Sequence, residues 1–472
     1  MSNAQETGTK RKIKLTYVIS ALVISCLMLG TAFGMMISAT TPTGFPTVIE
    51  PGSMVSGYSY IIFQDDLNTT YYAKNGFTGS IDFQSNDAGA VIQEAIDAVR
   101  ANQSFDGGDG GTIILDRGTW WLTVPLNLSQ SSINFRGSGF RETTIDFLTN
   151  GFIVNEIIDP WIGQWYSLSN LYIRGHGIGT GINMSMTRAY TIENVYVLDF
   201  DVGIYMNGCL GSIFTKVITA GCDYGLVLDL LDGVTFTNND NSFYGCQFSA
   251  NREIGLTLRN VTWNNAFYSC AMETNVQYEV LLETGMYSWQ SPMNNVFYTC
   301  WFEGIAPTAI KFDKSPSASV YPMANSFIGC TFVYQSEPNI ALDIAGSNNT
   351  VSGCGFYDST NITVSGDSNV FIGNYEKMIG SIIVTDTGVD NYWRGNAFYI
   401  TVNSGVATIT GTVNSVTVDH DLSATPTVIL ITVNNTGAGN CSVSTITSTQ
   451  FIISFANQPG TSEWEFYWYA EV

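Results

Sequence analysis

Hydrophobic and polar residues alternate in short runs along most of this chain, and the clearest pattern is a phrase that recurs six times between residues 241 and 374. Each copy begins with Asn and places an apolar residue, usually Phe, two positions later, and five of the six copies end on Cys. The successive asparagines are 24, 30, 30, 24 and 20 residues apart. A fixed phrase at this period indicates one supersecondary unit stacked on copies of itself.

The units are predicted to be strands, because apolar positions recur with period two, as in Ile254–Leu258. Each repeat offers about three short strands separated by turns rich in Asn and Gly, which predicts a right-handed parallel β-helix with one rung per repeat. If Phe243 points inward, Tyr244 points outward, and a bend at Gly245 turns Cys246 and Phe248 inward again. Equivalent residues on neighbouring rungs then form ladders about 4.8 Å apart.

Both ends of the repeat region show a different pattern. Asp87 is a helix N-cap residue, and the apolar positions of residues 88–99 share one helical face. We expect this amphipathic helix to cover the open apolar end of the coil.

Residues 396–472 lack the repeated phrase and alternate over strands of seven or eight residues, which predicts a small C-terminal β-sandwich.

The N-terminal segment predicts a membrane anchor. Residues 1–14 end in a basic cluster, and residues 15–38 carry no charge over a length that suffices for one crossing. The basic flank predicts a cytoplasmic N terminus and an extracellular bulk, and so a single-pass cell-membrane protein. The alternative is a cleaved signal peptide, whose apolar core is shorter. The predicted domains are therefore a basic tail (1–14), a transmembrane anchor (15–38), a stalk with short strands (39–84), the β-helix (85–395) and the β-sandwich (396–472).

The composition of the chain excludes some classes of ligand and metal site. The chain has 40 acidic against 18 basic residues and a net charge of −22, which argues against nucleic acid as a ligand. Five of the nine cysteines fall on one repeat position, so we expect a buried core ladder rather than disulfides. No Cys-x-x-Cys occurs, so a structural zinc site has no support.

Three segments resemble the opening of pectin-lyase-like β-helix proteins, the pectate lyase superfamily. They are Asp87–Ile96, Gly110–Trp120 and Ile133–Gly139. The resemblance extends over about 85–395 and implies the fold, but its motifs are helix-cap and turn residues, which do not specify an activity. Gly175-His176-Gly177 is similar to a triplet of polygalacturonase-like hydrolases, but the acidic motifs that accompany it there are missing, so we expect His176 to be a turn residue.

The candidate chemistry comes from the ladders. Glu273 and Glu303 both lie three residues past the Cys position, which predicts outward carboxylates one rung apart. Two carboxylates about 5 Å apart suit a retaining glycosidase or a calcium site, and their repulsion raises one pKa. Arg252 is placed to approach Glu273 and completes the catalytic candidates. The alternative is a solvated carboxylate pair with no chemistry, and no metal ligand set is predicted.

An outward aromatic strip is predicted beside that pair. It comprises Tyr244, Tyr268 and Tyr298, each two residues before a Cys, and Trp301, one residue after. Exposed aromatic rings on a rigid face suit sugar rings. The alternative is that like residues stack for stability alone. Glycosylation is predicted at Asn-x-Ser/Thr triplets, namely Asn68, Asn127, Asn183, Asn260, Asn361 and Asn434.

The sequence thus predicts a membrane-anchored extracellular β-helix protein that binds, and in one reading cleaves, polysaccharide as a pectate-lyase-like or glycosidase-like enzyme. The competing reading is a non-catalytic structural spike or adhesin. A likeness of the C-terminal region to end modules of tail fibres leaves a homotrimer open.

Overall fold

The structure is a computed structural model. It describes residues 58–472 apart from 66, 68, 102–109, 130–131, 156–166, 231–236, 286–290, 315–317, 335–338, 358–359, 377–381, 400, 411–412, 434–439 and 457–462. The main body is a parallel β-helix whose rungs each contribute to three faces, as the alternation predicts. Faces A and B belong to one 24-stranded sheet, and face C is an 11-stranded sheet.

Face A carries the repeated Phe residues. Its strands are Tyr60–Gln64, Gly111–Leu115, Ile133–Gly137, Ile213–Thr215, Ser242–Tyr244, Ala266–Tyr268, Val296–Tyr298, Ser326–Ile328, Thr350–Ser352, Val370–Ile372 and Tyr392–Arg394. Two longer strands, Ser167–Arg174 and Thr191–Leu198, run through both face A and face B. Tyr60–Gln64 pairs in parallel with Gly111–Leu115, so the sheet begins before the capping helix.

Face B follows face A in each rung, and face C completes it. The strands of face B are Gly118–Leu122, Thr143–Phe147, Ile218–Ala220, Gln247–Phe248, Ala271–Glu273, Trp301–Gly304, Thr331–Tyr334, Gly355–Tyr357 and Tyr375–Glu376. Those of face C are Leu126–Asn127, Phe152–Asn155, Thr180–Ser185, Val202–Asn207, Tyr224–Asp229, Ile254–Arg259, Tyr278–Thr284, Thr308–Lys314, Asn339–Ile344, Thr360–Val364 and Ile383–Asp386. A further parallel pair, Asn238–Asn239 and Thr262–Trp263, lies outside these faces.

The core of the coil consists of ladders of like side chains. Phe243 stacks on Phe267 at 4.6 Å between ring centroids and Phe267 on Phe297 at 4.8 Å, close to the strand spacing. The five ladder cysteines, Cys246, Cys270, Cys300, Cys330 and Cys354, are buried and free. The prediction of a buried thiol ladder is confirmed.

The repeated Asn forms a ladder of its own inside the turn before face A. Asn265 is fully buried, and its backbone N–H and Nδ2 both donate to Oδ1 of Asn295, at 3.1 and 3.0 Å. Asn295 makes the same two bonds to Asn325. Each side chain therefore satisfies buried backbone groups on adjacent rungs, which explains why the repeat needs Asn here.

The bend between faces A and B uses left-handed backbone. Gly245, Ser269 and Thr299 occupy it with φ of 57°, 50° and 51°. Glycine adopts this conformation freely, whereas Ser269 and Thr299 do so at some cost in free energy. The predicted bend, with Tyr244 outward and Cys246 inward, is confirmed.

The capping helix spans Ala88–Ala101. Asp87 Oδ1 accepts a hydrogen bond from the backbone N–H of Gly89 at 2.9 Å, as an N-cap does. The apolar face of the helix is buried and joins the hydrophobic cluster of the coil. Strands Tyr71–Asn75 and Ile81–Ser85 form an antiparallel hairpin with Tyr60–Gln64 beside it.

The C-terminal part folds as two three-stranded antiparallel sheets. One comprises Val402–Thr410, Glu463–Glu471 and Val428–Val433, and the other Ser415–Asp419, Gln450–Phe455 and Cys441–Ser444. Buried residues from both sheets, including Phe451, Phe466 and Trp468, form one hydrophobic cluster separate from that of the coil. The chain is thus all-β apart from its one described helix.

The predicted localisation, a single-pass cell-membrane protein with an extracellular bulk, is corrected. Across the described residues from 58 onward, no helix is both long enough and apolar enough to cross a membrane. Helix Ala88–Ala101 has 14 residues. At about 1.5 Å per residue it extends about 21 Å, against a hydrocarbon core of about 30 Å. The predicted anchor, 15–38, lies outside the described residues.

Candidate functional site

The predicted tyrosine strip lies at the outer edge of face A, but its rings are not equivalent. Tyr244 and Tyr268 stack at 4.9 Å with an interplanar angle of 7°, so each covers a face of the other. Tyr298 is tilted by 59° relative to Tyr268, at 6.4 Å between centroids. A sugar ring stacks on an aromatic face. Each ring of the stacked pair therefore has one face covered by the other, whereas Tyr298 turns away from the stack.

Trp301 lies on face B, across the bend at Thr299 from Tyr298. Both side chains are exposed, Tyr298 by 48% and Trp301 by 39%. The indole N–H of Trp301 donates to Oε2 of Glu303 at 2.9 Å, which fixes the ring orientation. Ser269 and Thr299, which form the bends of these two rungs, share a hydrogen bond of 3.0 Å between their hydroxyls. The corner thus presents two exposed aromatic rings, and a hydrogen bond to Glu303 orients the indole.

Glu273 and Glu303 are cross-strand partners in register on face B. Partial burial and the charge of Glu303 raise the pKa of Glu273 above its usual value, against a hydrogen bond from Gln247 that lowers it. Gln247 Nε2 donates to Glu273 Oε2 at 3.4 Å. The structure thus brings the two predicted carboxylates together and makes them different, since Glu303 is held by Trp301.

Arg252, the third predicted catalytic residue, forms ion pairs with two aspartates. Its Nε donates to Asp223 Oδ1 at 2.5 Å and its Nη1 to Asp199 Oδ1 at 2.9 Å. Its Nη2 donates to the backbone carbonyl of Phe200. The structure therefore joins Arg252 to these aspartates rather than to Glu273.

The carboxylate pair is a poor fit to calcium. Calcium takes six to eight oxygen ligands. Among the residues that the structure describes, no group of three or more His, Cys, Asp or Glu side chains is arranged to hold a metal ion. Glu273 and Glu303 alone supply fewer oxygen ligands than calcium takes, and calcium binding stays a prediction of the sequence.

The predicted glycosylation sites lie at different depths. Asn127 is exposed on face C, whereas Asn183 and Asn361 are half-buried on the same face. Nδ2 of Asn260 donates to Asp229 Oδ1 and to the carbonyl of Leu230, so a glycan there would displace both bonds. Asn68 and Asn434 lie outside the described residues. Glycosylation stays a prediction.

Sequence reasoning missed a polar cluster on earlier rungs of face B. Asp146 is fully buried, Arg174 Nε donates to its Oδ2 at 2.5 Å, and His176 Nε2 lies 2.6 Å from its Oδ1. In the sequence, His176 stands in a Gly-rich turn. Its partner Asp146 lies 30 residues earlier on another rung, so the local sequence does not reveal the contact. An alignment of strand Thr143–Phe147 with strand Ser167–Arg174 in register would have placed Asp146 beside Arg174 and so indicated the cluster.

A family model described as a right handed beta helix region matches residues 163–322. With the parallel pairing on three faces, this defines the class: the chain is a right-handed parallel β-helix protein, and the predicted resemblance is confirmed at that level. No curated protein matches it in sequence.

Several solved structures are similar to the chain. They include ORF18 of Geobacillus virus E2, with 16% identity over 84% of this chain and 85% of that one and a TM-score of 0.46. The tailspike protein gp49 of Acinetobacter baumannii bacteriophage Fri1, a capsular polysaccharide depolymerase, has 12% identity, coverages of 81% and 82% and a TM-score of 0.37. PfbA, a surface adhesin of Streptococcus pneumoniae, has 11% identity, coverages of 67% and 89% and a TM-score of 0.38.

Proposed function

We propose that this protein binds polysaccharide on the outside of its β-helix, at a surface formed by Tyr298 and Trp301 with Tyr244 and Tyr268 at its edge. The observation that carries the proposal is the 59° rotation of Tyr298 away from the tyrosine stack, next to a Trp301 whose orientation is fixed by Glu303. An identical repeat whose tyrosines served only stability would continue the parallel stack, as Tyr244 and Tyr268 do. Two exposed, rigid aromatic rings beside carboxylate and amide groups are the usual components of a sugar-binding surface.

The test is glycan binding by the full-length protein, first on an array of neutral and acidic polysaccharides and then by titration calorimetry with the best ligand. Tyr298→Ala and Trp301→Ala should each weaken binding about tenfold or more, since each removes a ring face (about 1.4 kcal/mol per factor of ten). Tyr244→Ala should weaken it less. Phe77→Ala is the matched control, because Phe77 is 82% exposed in the N-terminal hairpin. Equal losses for Tyr244→Ala and Tyr298→Ala would contradict the proposed role of the rotated ring.

The same surface supports a catalytic proposal for Glu273 and Glu303. In retaining glycoside hydrolysis one carboxylic acid protonates the leaving oxygen and the other attacks the sugar, at a separation of about 5–5.5 Å. The raised pKa of Glu273 suits the acid, and the oriented Glu303 suits the nucleophile. Arg252 stays a prediction of the sequence, with its guanidinium held by aspartates.

Release of reducing ends from the bound polysaccharide tests this catalytic step. Glu273→Gln should abolish release while binding is retained, and Glu193→Gln, which alters an exposed carboxylate on face A, should leave release unchanged. Binding without release by the unmodified protein would leave a non-catalytic adhesin as the function.

A second candidate function is an oligomeric surface spike. The C-terminal part, which we propose to be a small β-sandwich, favours it. Val406, Tyr467 and Leu430 are exposed on one sheet, with Val406 and Tyr467 directly paired in register. A second and third copy of this chain would cover these apolar side chains. Light scattering after size exclusion should then give a trimer, and Leu430→Glu should give a monomer. A monomer at all concentrations of the unmodified protein would contradict this candidate.

A further inference from the structure

An aromatic ring and two basic side chains lie together on the first rungs of face B. Trp121 is in register with Asp146, and Asp146 is in register with Arg174, so the three residues occupy one ladder position on consecutive rungs. His176 follows two residues after Arg174, at the start of the loop that leads to face C. The cluster is therefore held by regular strand pairing, not by a loop alone.

Asp146 holds the two basic side chains in place. Its carboxylate is inaccessible to solvent and makes an ion pair with Arg174, through both Nε and Nη2, and a short contact with His176 Nε2. A buried carboxylate needs such partners, so this bonding explains the inner side of the cluster. Because Nε2 of His176 faces Asp146, Nδ1 is the ring nitrogen left for a ligand.

The contacts with Asp146 do not account for the solvent-facing side of the cluster. The side chain of His176 remains 43% exposed and that of Arg174 37% exposed, and Trp121 is 53% exposed. The Arg174 guanidinium lies 5.7 Å from the Trp121 ring centroid, and the His176 ring lies 6.5 Å from it at an angle of 24°. Within the described part of the chain, Nη1 of Arg174 and Nδ1 of His176 have no hydrogen-bond partner. Arg174 and His176 thus lie over the Trp121 ring, and each keeps one nitrogen available beside the half-exposed indole.

The surrounding charges favour an uncharged ligand. The Arg174 charge is balanced by Asp146, and the next cation along the face, Arg252, is shared between Asp199 and Asp223. A side chain at Gly177 would meet Asp199 Oδ1 at 3.7 Å and Arg252 Nη2 at 3.9 Å, so the turn after His176 lies against this ion-pair network. The two arginines and three carboxylates leave one net negative charge beside the subsite, which favours a neutral sugar over an anionic one.

We propose that Trp121, Arg174 and His176 form a saccharide subsite for a neutral sugar, separate from the Tyr298 and Trp301 surface. The sugar packs against the exposed part of Trp121, Arg174 Nη1 donates to one hydroxyl oxygen, and His176 Nδ1 bonds to a neighbouring hydroxyl. Asp146 is a positioning residue that does not touch the sugar. The subsite shares its class of ligand with the proposed function but not its residues.

The two surfaces are far enough apart to be tested independently. One ladder position of face B connects them through Trp121, Asp146, Arg174, Leu198, Ala220, Ser249, Glu273 and Glu303. This is seven strand spacings, or about 34 Å at about 4.8 Å each. The sugar unit that contacts Trp121 is therefore not the one that contacts Trp301, and the two tryptophans report on the two surfaces separately.

The experiment is ¹⁹F NMR of the full-length protein labelled with 5-fluorotryptophan. Trp121→Phe and Trp301→Phe assign the two resonances. The probes are maltohexaose, cellohexaose and chitohexaose as neutral oligosaccharides and hexagalacturonate as the acidic one. We expect at least one neutral probe to shift the Trp121 resonance, and His176→Ala and Arg174→Ala to weaken that titration about tenfold.

Each outcome decides between the two sites. A shift of Trp301 alone overturns this subsite and leaves the proposed function intact, whereas a shift of Trp121 alone supports the subsite and contradicts the proposed surface. A Trp121 response to hexagalacturonate alone overturns the assignment to a neutral sugar, and no response at either resonance overturns both sites.

Asp146→Asn tests the positioning role. It should weaken the Trp121 titration but leave the Trp301 titration and the circular dichroism spectrum unchanged, whereas a merely structural role would alter all three or none. If Asp146→Asn does not fold, His176→Ala and Trp121→Ala still decide, because both change exposed side chains. Phe77→Ala is the control for loss of an exposed aromatic ring.

Discussion

Glu279 is a carboxyl group buried inside the coil, at the start of strand Tyr278–Thr284 of face C, and its replacement by glutamine should stabilise the protein in a pH-dependent way. Its Oε2 accepts a short hydrogen bond from Asn275 Nδ2, and among the described residues its Oε1 has no partner. Gly304 leaves the space that the group occupies, since a Cβ there would lie 2.5 Å from Oε1. Burial is the main cause that raises the pKa of Glu279, from 4.5 to about 8.

The magnitude follows from the difference between the folded and unfolded pKa values. Because the folded pKa is the higher one, the neutral carboxyl favours folding fully below pH 4.5, and this contribution is lost as the pH rises to about 8. At about 1.4 kcal/mol per unit, the loss is about 3 kcal/mol at pH 7 and about 5 kcal/mol above pH 8. A glutamine at this position stays neutral and keeps an acceptor for Asn275, so it avoids the loss.

Urea unfolding followed by circular dichroism and by tryptophan fluorescence, at several pH values between 4.5 and 9, measures this difference. Glu279→Gln should match the unmodified protein near pH 4.5 and exceed its free energy of unfolding by a growing margin up to pH 8. Glu193→Gln, on the surface, should show no such trend. If the gain from Glu279→Gln did not change with pH, the carboxyl would not be protonated in the folded protein, and the reasoning would be refuted.

Two further predictions concern the ladders. Asn295→Ala should lower the free energy of unfolding by about 2–4 kcal/mol, because it leaves two buried donors of Asn265 and the carbonyl of Thr262 without their partner. Urea unfolding measures this change, with the exposed Asn134→Ala as control. An equal effect of the two substitutions would contradict the prediction. Burial raises the pKa of the Cys300 and Cys330 thiols above the usual range. Because all five ladder thiols are buried, they should stay unlabelled by a disulfide reagent at pH 8 in the folded protein and react after unfolding. Cys441, which is half-buried, should be labelled before them. Rapid labelling of the ladder in the folded state would be inconsistent with its burial.

The coil was predictable because its determinants repeat in the sequence. The Asn, Phe and Cys positions recur with each rung, so the inward and outward sides of Phe243, Tyr244 and Cys246 follow from alternation and one bend. The capping helix was predictable for a similar reason, since its apolar face and its Asp87 cap are local. The parallel pairing of Tyr60–Gln64 with Gly111–Leu115 was not, because the two strands share no phrase and meet only in the folded chain.

For the candidate sites, the sequence alone placed Glu273 next to Glu303 and put Tyr244, Tyr268, Tyr298 and Trp301 on the outside, because strand pairing converts the repeat period into proximity. The sequence did not determine which tyrosine rings stack and which turn away from the stack, because ring rotation depends on packing between rungs.

Only the tertiary structure brought Asp146, Arg174 and His176 together, bonded Arg252 to two aspartates and buried Glu279. These contacts join residues that belong to different rungs and to no repeated phrase. The repeat therefore determined the scaffold and its ladders, while the departures from the repeat, where the candidate chemistry lies, were decided by the folding of the whole coil.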